Sequence, residues 1–170
     1  MKKDKLLFII AIFVCLPIFC GMLLFCVYPL KYKKYITYFS LQYNIEKSLI
    51  ASVICAESRF NKNAESASGA CGLMQLMPNT YYWICNELNQ CSADIFDPEV
   101  NIEAGCFYLK YLLDKYKNLV YALACYNAGE GVVSAWGSPV NFEISNIKYQ
   151  ETREYVGKVL KFKLLYKHRF

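Results

Sequence analysis

Ile45–Ser58 reads IEKSLIASVICAES, and the glutamate near its end has the placement of a chemical group rather than a surface charge. At about 100° per residue, Leu49, Val53 and Glu57 succeed one another at i, i+4 and i+8 of a helix, with Ile50 and Ile54 flanking them. Glu57 therefore falls inside the apolar arc. A carboxyl held there loses solvation of its charged form, so its pKa is expected to rise. A carboxylic acid that keeps its proton near neutral pH is what cleavage of a glycosidic bond requires. The competing reading is a glutamate at a helix end that points to water. Glycosidases usually pair two carboxyls across the bond they cut. Glu65, Asp97, Glu103, Glu130 and Glu151 each read better as loop, cap or helix surface, which leaves Glu57 as the one strong candidate. The single histidine, His168, lies at the extreme C-terminus and no C-x-x-C occurs, so neither a metal site nor a Cys–His nucleophile is expected.

The elements that must position this acid are helical. Lys31–Tyr43 is basic and aromatic and reads as a helix, and Asn44 is a candidate cap for the helix carrying Glu57, with Glu46 in its first turn. Asn61–Ala70 is rich in Asn, Ser and Ala and reads as a loop. A helix is predicted over Asn79–Leu88. Asp97-Pro98 is a strong start signal, Asp as the cap and Pro at the first helical position, for a helix that carries Ile102, Gly105, Cys106, Leu109, Leu112, Leu113 and Tyr116 at helical spacing. Another covers about Leu119–Asn127 and is broken by Gly129-Glu130-Gly131. A short helix ends near Trp136, Gly137–Ile147 is loop, and the last helix starts near Glu151. Few runs alternate with period two, so the fold class is all-α.

Of the 170 residues 56% are hydrophobic and 19% charged, which excludes a disordered chain. Part of that apolar excess is one block, Leu6–Tyr28, 23 residues without a charge. It is long enough to cross a bilayer core of about 30 Å and is read as a retained transmembrane anchor, not a cleaved signal. Three lysines on each side of it leave the positive-inside rule undecided. The net charge of +5 hides three zones. Residues 1–34 hold six Lys and one Asp; residues 41–154 hold eight Lys and Arg against thirteen Asp and Glu; residues beyond Glu154 hold five cations and no acid. The acidic centre argues against a nucleic-acid partner. The basic ends suit anionic lipid, or equally a solvated helix face. Of nine cysteines, Cys55, Cys106 and Cys125 sit in helical apolar patterns as buried thiols, whereas Cys85 and Cys91 bracket a short loop that a disulfide would span.

Glu57-Ser58-Arg59-Phe60, then Ser68-Gly69-Ala70-Cys71-Gly72-Leu73-Met74-Gln75-Leu76-Met77-Pro78, then Asp97 to Gly105, then Tyr126-Asn127-Ala128-Gly129, then Glu151 to Val156 follow in an order and spacing that resemble the soluble lytic transglycosylase domain family, relatives of goose-type lysozyme. The resemblance covers about residues 40–165. It implies a lysozyme-like helical domain with a cleft for peptidoglycan glycan strands and no cofactor. It implies that Glu57 is the catalytic acid, protonating the oxygen between N-acetylmuramic acid and N-acetylglucosamine and then, as carboxylate, taking the proton of the muramic C6 hydroxyl as it closes a 1,6-anhydro ring. It also implies a set of substrate-binding residues. Ser58 would orient the acid, or else satisfy the helix end. Gly72 would let backbone approach the sugar, Met74 would offer a soft apolar surface, and Gln75 would bond hydroxyls and acetamido groups. Tyr126 and Asn127 would contact the substrate, and Tyr155 would hydrogen-bond the carboxyl or the sugar. For Trp83 and Trp136 core packing is the expected role.

The expected organisation is a cytoplasmic N-terminus over 1–5, a single-pass anchor over 6–28, a membrane-proximal basic segment over 29–43 and a catalytic domain over 44–166. The domain faces outward because peptidoglycan lies outside the membrane. Two other functions are carried beside this one, a water-using muramidase on the same fold and a catalytically silent glycan-binding scaffold.

Overall fold

The computed structural model describes Phe13, Cys15, residues 28–89 and residues 94–170. The chain divides into two units, Met1–Leu30 and Lys31–Phe170. The expected anchor falls in the first unit and, apart from Phe13, Cys15 and Tyr28, lies outside the described residues, as does Cys91 of the expected disulfide. Among the described residues no helix is long and apolar enough to cross a membrane.

The second unit is all-α among its described residues. Its helices are α1 (Lys33–Tyr43), α2 (Lys47–Ser58), α3 (Pro78–Leu88), α4 (Pro98–Tyr116), α5 (Leu119–Ala128), α6 (Glu130–Ser134) and α7 (Gln150–Tyr166), with a 3-10 turn at Ile144–Asn146. α2 is the central element: every residue from Ser48 to Cys55 is buried. A helix that is apolar nearly all round belongs inside a protein. Leu49, Ile50, Val53 and Ile54 are each worth about 1.5–3 kcal/mol in buried area. Its two internal hydroxyls are satisfied locally, Ser52 donating to the Leu49 carbonyl at 2.7 Å and Ser48 to the Glu46 carboxylate at 3.1 Å. α2 packs most extensively along α7. The two run antiparallel: Tyr155 of α7 lies beside Glu57 at one end, and Lys163 pairs with Glu46 at 2.8 Å at the other. Val156 and Val159 of α7 and Tyr121 to Cys125 of α5 are buried in the same core, where α5 packs on α7.

Asp97 caps α4 as its spacing requires, accepting from the backbone N–H groups of Glu99 at 2.9 Å and Val100 at 3.1 Å. The start of α2 differs from expectation. Asn44 closes α1 in the left-handed conformation, with φ of 52°, instead of capping α2, which begins after Glu46 without a side-chain cap. A residue that tolerates positive φ is used where one helix stops at Tyr43 and the next starts at Lys47. α1, expected as a segment apart from the domain, contributes Ile36 and Phe39 to the core and packs on α4 and α2. Asn118 caps α5 through Tyr121 N–H and donates to the carbonyls of Pro139 and Phe142, both at 3.0 Å, which ties the 137–142 loop to the body. Trp83 and Trp136 are half-buried and ring-packed, Trp83 on Phe107, Tyr108 and Tyr111, and Trp136 edge-on to Tyr149.

Candidate active site

Glu57 occupies the last turn of α2, and two elements converge on it. α7 brings Tyr155, the end of α5 brings Tyr126, and Lys158 lies one turn beyond Tyr155. Glu57 is half-buried, and burial pushes its carboxyl up to about 7; the Tyr155 hydroxyl and the Lys158 cation pull in the other direction without winning. Among the described residues no carboxylate acts on Glu57. The tyrosines feel the acid in turn. Burial first and the Glu57 charge second push both Tyr155 and Tyr126 far above an ordinary phenol. The Tyr155 hydroxyl is buried beside the carboxyl yet makes no well-formed hydrogen bond with any of the described residues. A buried donor left over next to an acid is a feature that asks for an explanation.

The second wall is the turn from Cys71 to Leu76. Its ends are paired, Cys71 N–H to the Leu76 carbonyl at 2.9 Å and Leu76 N–H to the Cys71 carbonyl at 3.0 Å. The rest of it is held by side chains from α2, α4 and α5 and by its own Gln75. Ser58 donates to the Leu73 carbonyl at 2.8 Å, Tyr126 to the Met74 carbonyl at 2.9 Å, and the Gln75 amide to the carbonyls of Gly72 at 2.9 Å and Ala64 at 3.0 Å. Asn101 of α4, with no exposed surface, accepts from Met74 N–H at 2.7 Å and donates to the carbonyls of Ile95 at 2.8 Å and Cys71 at 3.1 Å. A short turn without regular structure is thus made rigid by polar bonds that would be expensive to leave unmade.

The residues named from the sequence fall into two groups. Glu57, Tyr155 and Tyr126 meet. Asn127 follows Tyr126, half-buried, with its amide bonded to none of the described residues, and the Gln75 carbonyl oxygen is likewise unengaged. Gly72 and Met74 face the protein. Met74 has no exposed side-chain surface and packs against Gly105, where an added Cβ would come within 2.3 Å of its Sδ. The expected contact of Met74 with a sugar ring is therefore corrected to a core contact. Gly72 has φ of 80°, and a Cβ there would meet the Asn101 amide at 2.2 Å, so the glycine admits Asn101 rather than a ligand. Ser58 spends its hydroxyl on Leu73, with the Ile54 carbonyl at 3.2 Å, which makes it a positioning residue for the turn. Asn101 and Gly105 were missed as site-builders. The signal was present: Asn101 shares the buried stripe of α4 with Gly105, Leu109 and Leu112, a polar residue where the pattern calls for an apolar one.

The family model described as Transglycosylase SLT domain matches residues 34–147. The soluble lytic murein transglycosylase of Salmonella typhimurium is 32% identical over 152 residues, covering 83% of this chain and 24% of that protein. The membrane-bound lytic murein transglycosylase E of Buchnera aphidicola is 42% identical over 87 residues, 48% of this chain and 41% of that protein. Among solved structures, an inactive glutamate-to-glutamine mutant of lytic transglycosylase Slt from Pseudomonas aeruginosa superposes with a TM-score of 0.79 at 30% identity, covering 86% of this chain and 25% of that one. The chain spans about a quarter of the length of the soluble relatives it matches.

Proposed function

This chain belongs to the transglycosylase SLT domain family, and from that premise we propose that it cuts peptidoglycan as a lytic transglycosylase with Glu57 as its acid. The observation that carries the reading is the half-buried Glu57 carboxyl, its pKa lifted to about 7 beside Tyr155 and Tyr126. A general acid works best when its pKa lies near the working pH. Glu57 hands its proton to the oxygen joining N-acetylmuramic acid to N-acetylglucosamine, and that C–O bond breaks as positive charge builds at the anomeric carbon. Left as a carboxylate, Glu57 takes the proton of the muramic C6 hydroxyl while its oxygen closes on C1. The acid is regenerated, no water is consumed and the product ends in a 1,6-anhydro sugar. The Tyr155 hydroxyl donates to the carboxylate form between the two steps, which fits its lack of another partner among the described residues. That no carboxylate among the described residues acts on Glu57 favours this one-acid route over the two-carboxyl route of a muramidase. Asn127 and the Gln75 carbonyl bind the sugar's acetamido and hydroxyl groups. Ser58, Gly72, Met74 and Tyr126 hold the turn on which they depend.

The proposal extends to location. Leu6–Tyr28 anchors the chain once through the cell membrane, with the N-terminus cytoplasmic and the domain on the side where peptidoglycan lies. Relatives named soluble and relatives named membrane-bound both occur.

Glu57→Gln tests the acid. Cell-wall cleavage is expected to fall by about 10²–10⁴ while the variant still sediments with peptidoglycan. Cleavage that persists in a folded variant rejects Glu57. Wild-type products heavier by one water per cut, measured by mass spectrometry, would replace transglycosylation with hydrolysis.

A further inference from the structure

The end of the α2/α7 pair opposite Glu57 gathers basic side chains from three separate stretches of sequence. Lys33 of α1 donates to the Arg169 carbonyl at 3.3 Å, and Lys47, at the start of α2, lies 5.5 Å from the centre of the Phe170 ring. Leu41, Asn44, Lys47, Lys167 and Phe170 line one shallow hollow of about 460 Å³. The fold thus merges the basic run before the domain with the basic run after it. Lys33, Lys47, Lys163, Lys167 and Arg169 share this end with Glu46, which Lys163 engages at 2.8 Å. The charges are interleaved with apolar groups that a water-facing surface has no use for. Leu41 is 80% exposed and Phe170 40% exposed. Lys34, Tyr38 and Leu41 follow at i, i+4 and i+7 on the open side of α1, and Leu164, on the last turns of α7, is also exposed. Exposed aliphatic and aromatic groups ringed by long basic side chains match the headgroup region of a bilayer, where the stems lie on apolar surface and the cations reach phosphates.

The geometry points to this end as a binding face for anionic phospholipid headgroups, which holds the acid about one helix length, ~15 Å, above the bilayer surface. The height follows from α2 itself: Lys47 and Glu57 are ten residues apart on it, each adding about 1.5 Å. This deepens the proposed anchoring and rests on it for proximity. In the sequence only four residues separate Tyr28 from Lys33, a tether no longer than about 17 Å. An anchor alone would leave the domain free to swing. A second contact through the basic face fixes the reach of Glu57 to glycan strands lying next to the membrane.

The test uses the full chain in lipid nanodiscs, of phosphatidylcholine alone or enriched in phosphatidylglycerol, read by hydrogen–deuterium exchange. Segments 33–48 and 160–170 are expected to gain protection in the anionic discs, and to lose it in high salt. Each cation near the surface is worth about fivefold in the docked population. The combined variant Lys33→Gln, Lys47→Gln, Lys167→Gln, Arg169→Gln should therefore abolish the protection while cutting detached, soluble glycan at the wild-type rate. Equal exchange in the two lipids overturns the proposal. So does protection that survives in the variant, or that depends on protein concentration, which would assign the face to a second copy of the chain. Co-elution with phosphatidylcholine discs reports on the anchor separately. If that fails, sedimentation of the same chain with phosphatidylglycerol vesicles, and not with phosphatidylcholine vesicles, still decides for or against the face.

Discussion

Glu57→Gln should stabilise the protein that it inactivates, and only above a defined pH. A free glutamate titrates near 4.5, whereas burial lifts Glu57 to about 7. Between those values the folded chain holds a proton that the unfolded chain has released, so stability falls as pH rises across the window. Below about 4.5 both states are protonated and Glu57 costs nothing. Above about 7 both are ionised and the cost is complete. The gap corresponds to about 2–3 kcal/mol, allowing for the solvent a half-buried carboxyl still touches. Glutamine has the shape of the protonated acid without the titration. The variant should match the wild type at pH 4 and exceed it at pH 8, with a melting temperature higher by about 5–10 °C in a chain of this size. Thermal unfolding of both proteins in detergent from pH 4 to pH 8 measures it, with Glu87→Gln on the exposed face of α3 as a control expected to change stability by less than about 0.5 kcal/mol. A Glu57→Gln curve parallel to the wild type at every pH would mean that this carboxyl is charged and solvated at neutrality. The acid role would then lose its physical basis, whatever the activity of the variant. The expected opposition of stability and activity is typical of a group kept at a functional site against its own solvation.

Three further outcomes follow from the same geometry. Gly105→Ala forces Met74 to move and should cost about 1–3 kcal/mol in urea denaturation, with cell-wall cleavage falling as the turn shifts; an unchanged midpoint would show that Met74 is not wedged there. Asn101→Leu strands the Met74 N–H and the carbonyls of Cys71 and Ile95 and should cost about 3–5 kcal/mol, so a loss below about 1 kcal/mol would mean that water already serves these groups. Lys158→Met removes a cation that favours the Glu57 carboxylate, so the acid should hold its proton to higher pH and the alkaline limb of the pH–rate profile should move upward; movement downward would contradict the assigned electrostatics.

Much of the fold was legible because the relevant signals are local. The Asp97-Pro98 start, the Gly129 stop and the 3.6-residue pattern of α4 each act within one or two turns, and the helices begin and end close to where they point. The Asn44 assignment failed because a capping residue between two adjacent helices serves either one, and only the backbone conformation chooses. The burial of Glu57 was legible in outline. The arc that placed it was less selective than it looked, since α2 is buried nearly all round. What raises the acid's pKa is that α7 and α5 close over the helix end, and that is tertiary information. Met74 and Gly72 were read as facing a ligand because their motif lines the site. No local pattern states which atoms of a turn face inward. Asn101, thirty residues from Cys71, owes its role to a long-range contact that periodicity flags as anomalous without naming its partner.

The backbone around the acid carries the cost of this arrangement. Arg59, Phe60 and Gln75 all have positive φ, at 50°, 62° and 49°, and none is a glycine. Such conformations cost about 1–2 kcal/mol per residue and persist only where surrounding contacts over-determine them. Here Phe60 is buried edge-on to Tyr166, and the Gln75 amide is pinned to two carbonyls. The result is a sharp exit from α2 just past Glu57, whose neighbours Ser58 and Tyr126 bond the carbonyls of Leu73 and Met74 in the Cys71–Leu76 turn. The acidity of Glu57 and the rigidity of the Cys71–Leu76 turn are therefore linked through Ser58 and Tyr126. Burial is the first cause of the raised pKa, so anything that loosens the turn admits water and lowers it. Gly105→Ala and Asn101→Leu never touch the carboxyl, yet both should move the alkaline limb of the pH–rate profile down, opposite to Lys158→Met. A purely structural role for the turn would reduce the rate without moving that limb.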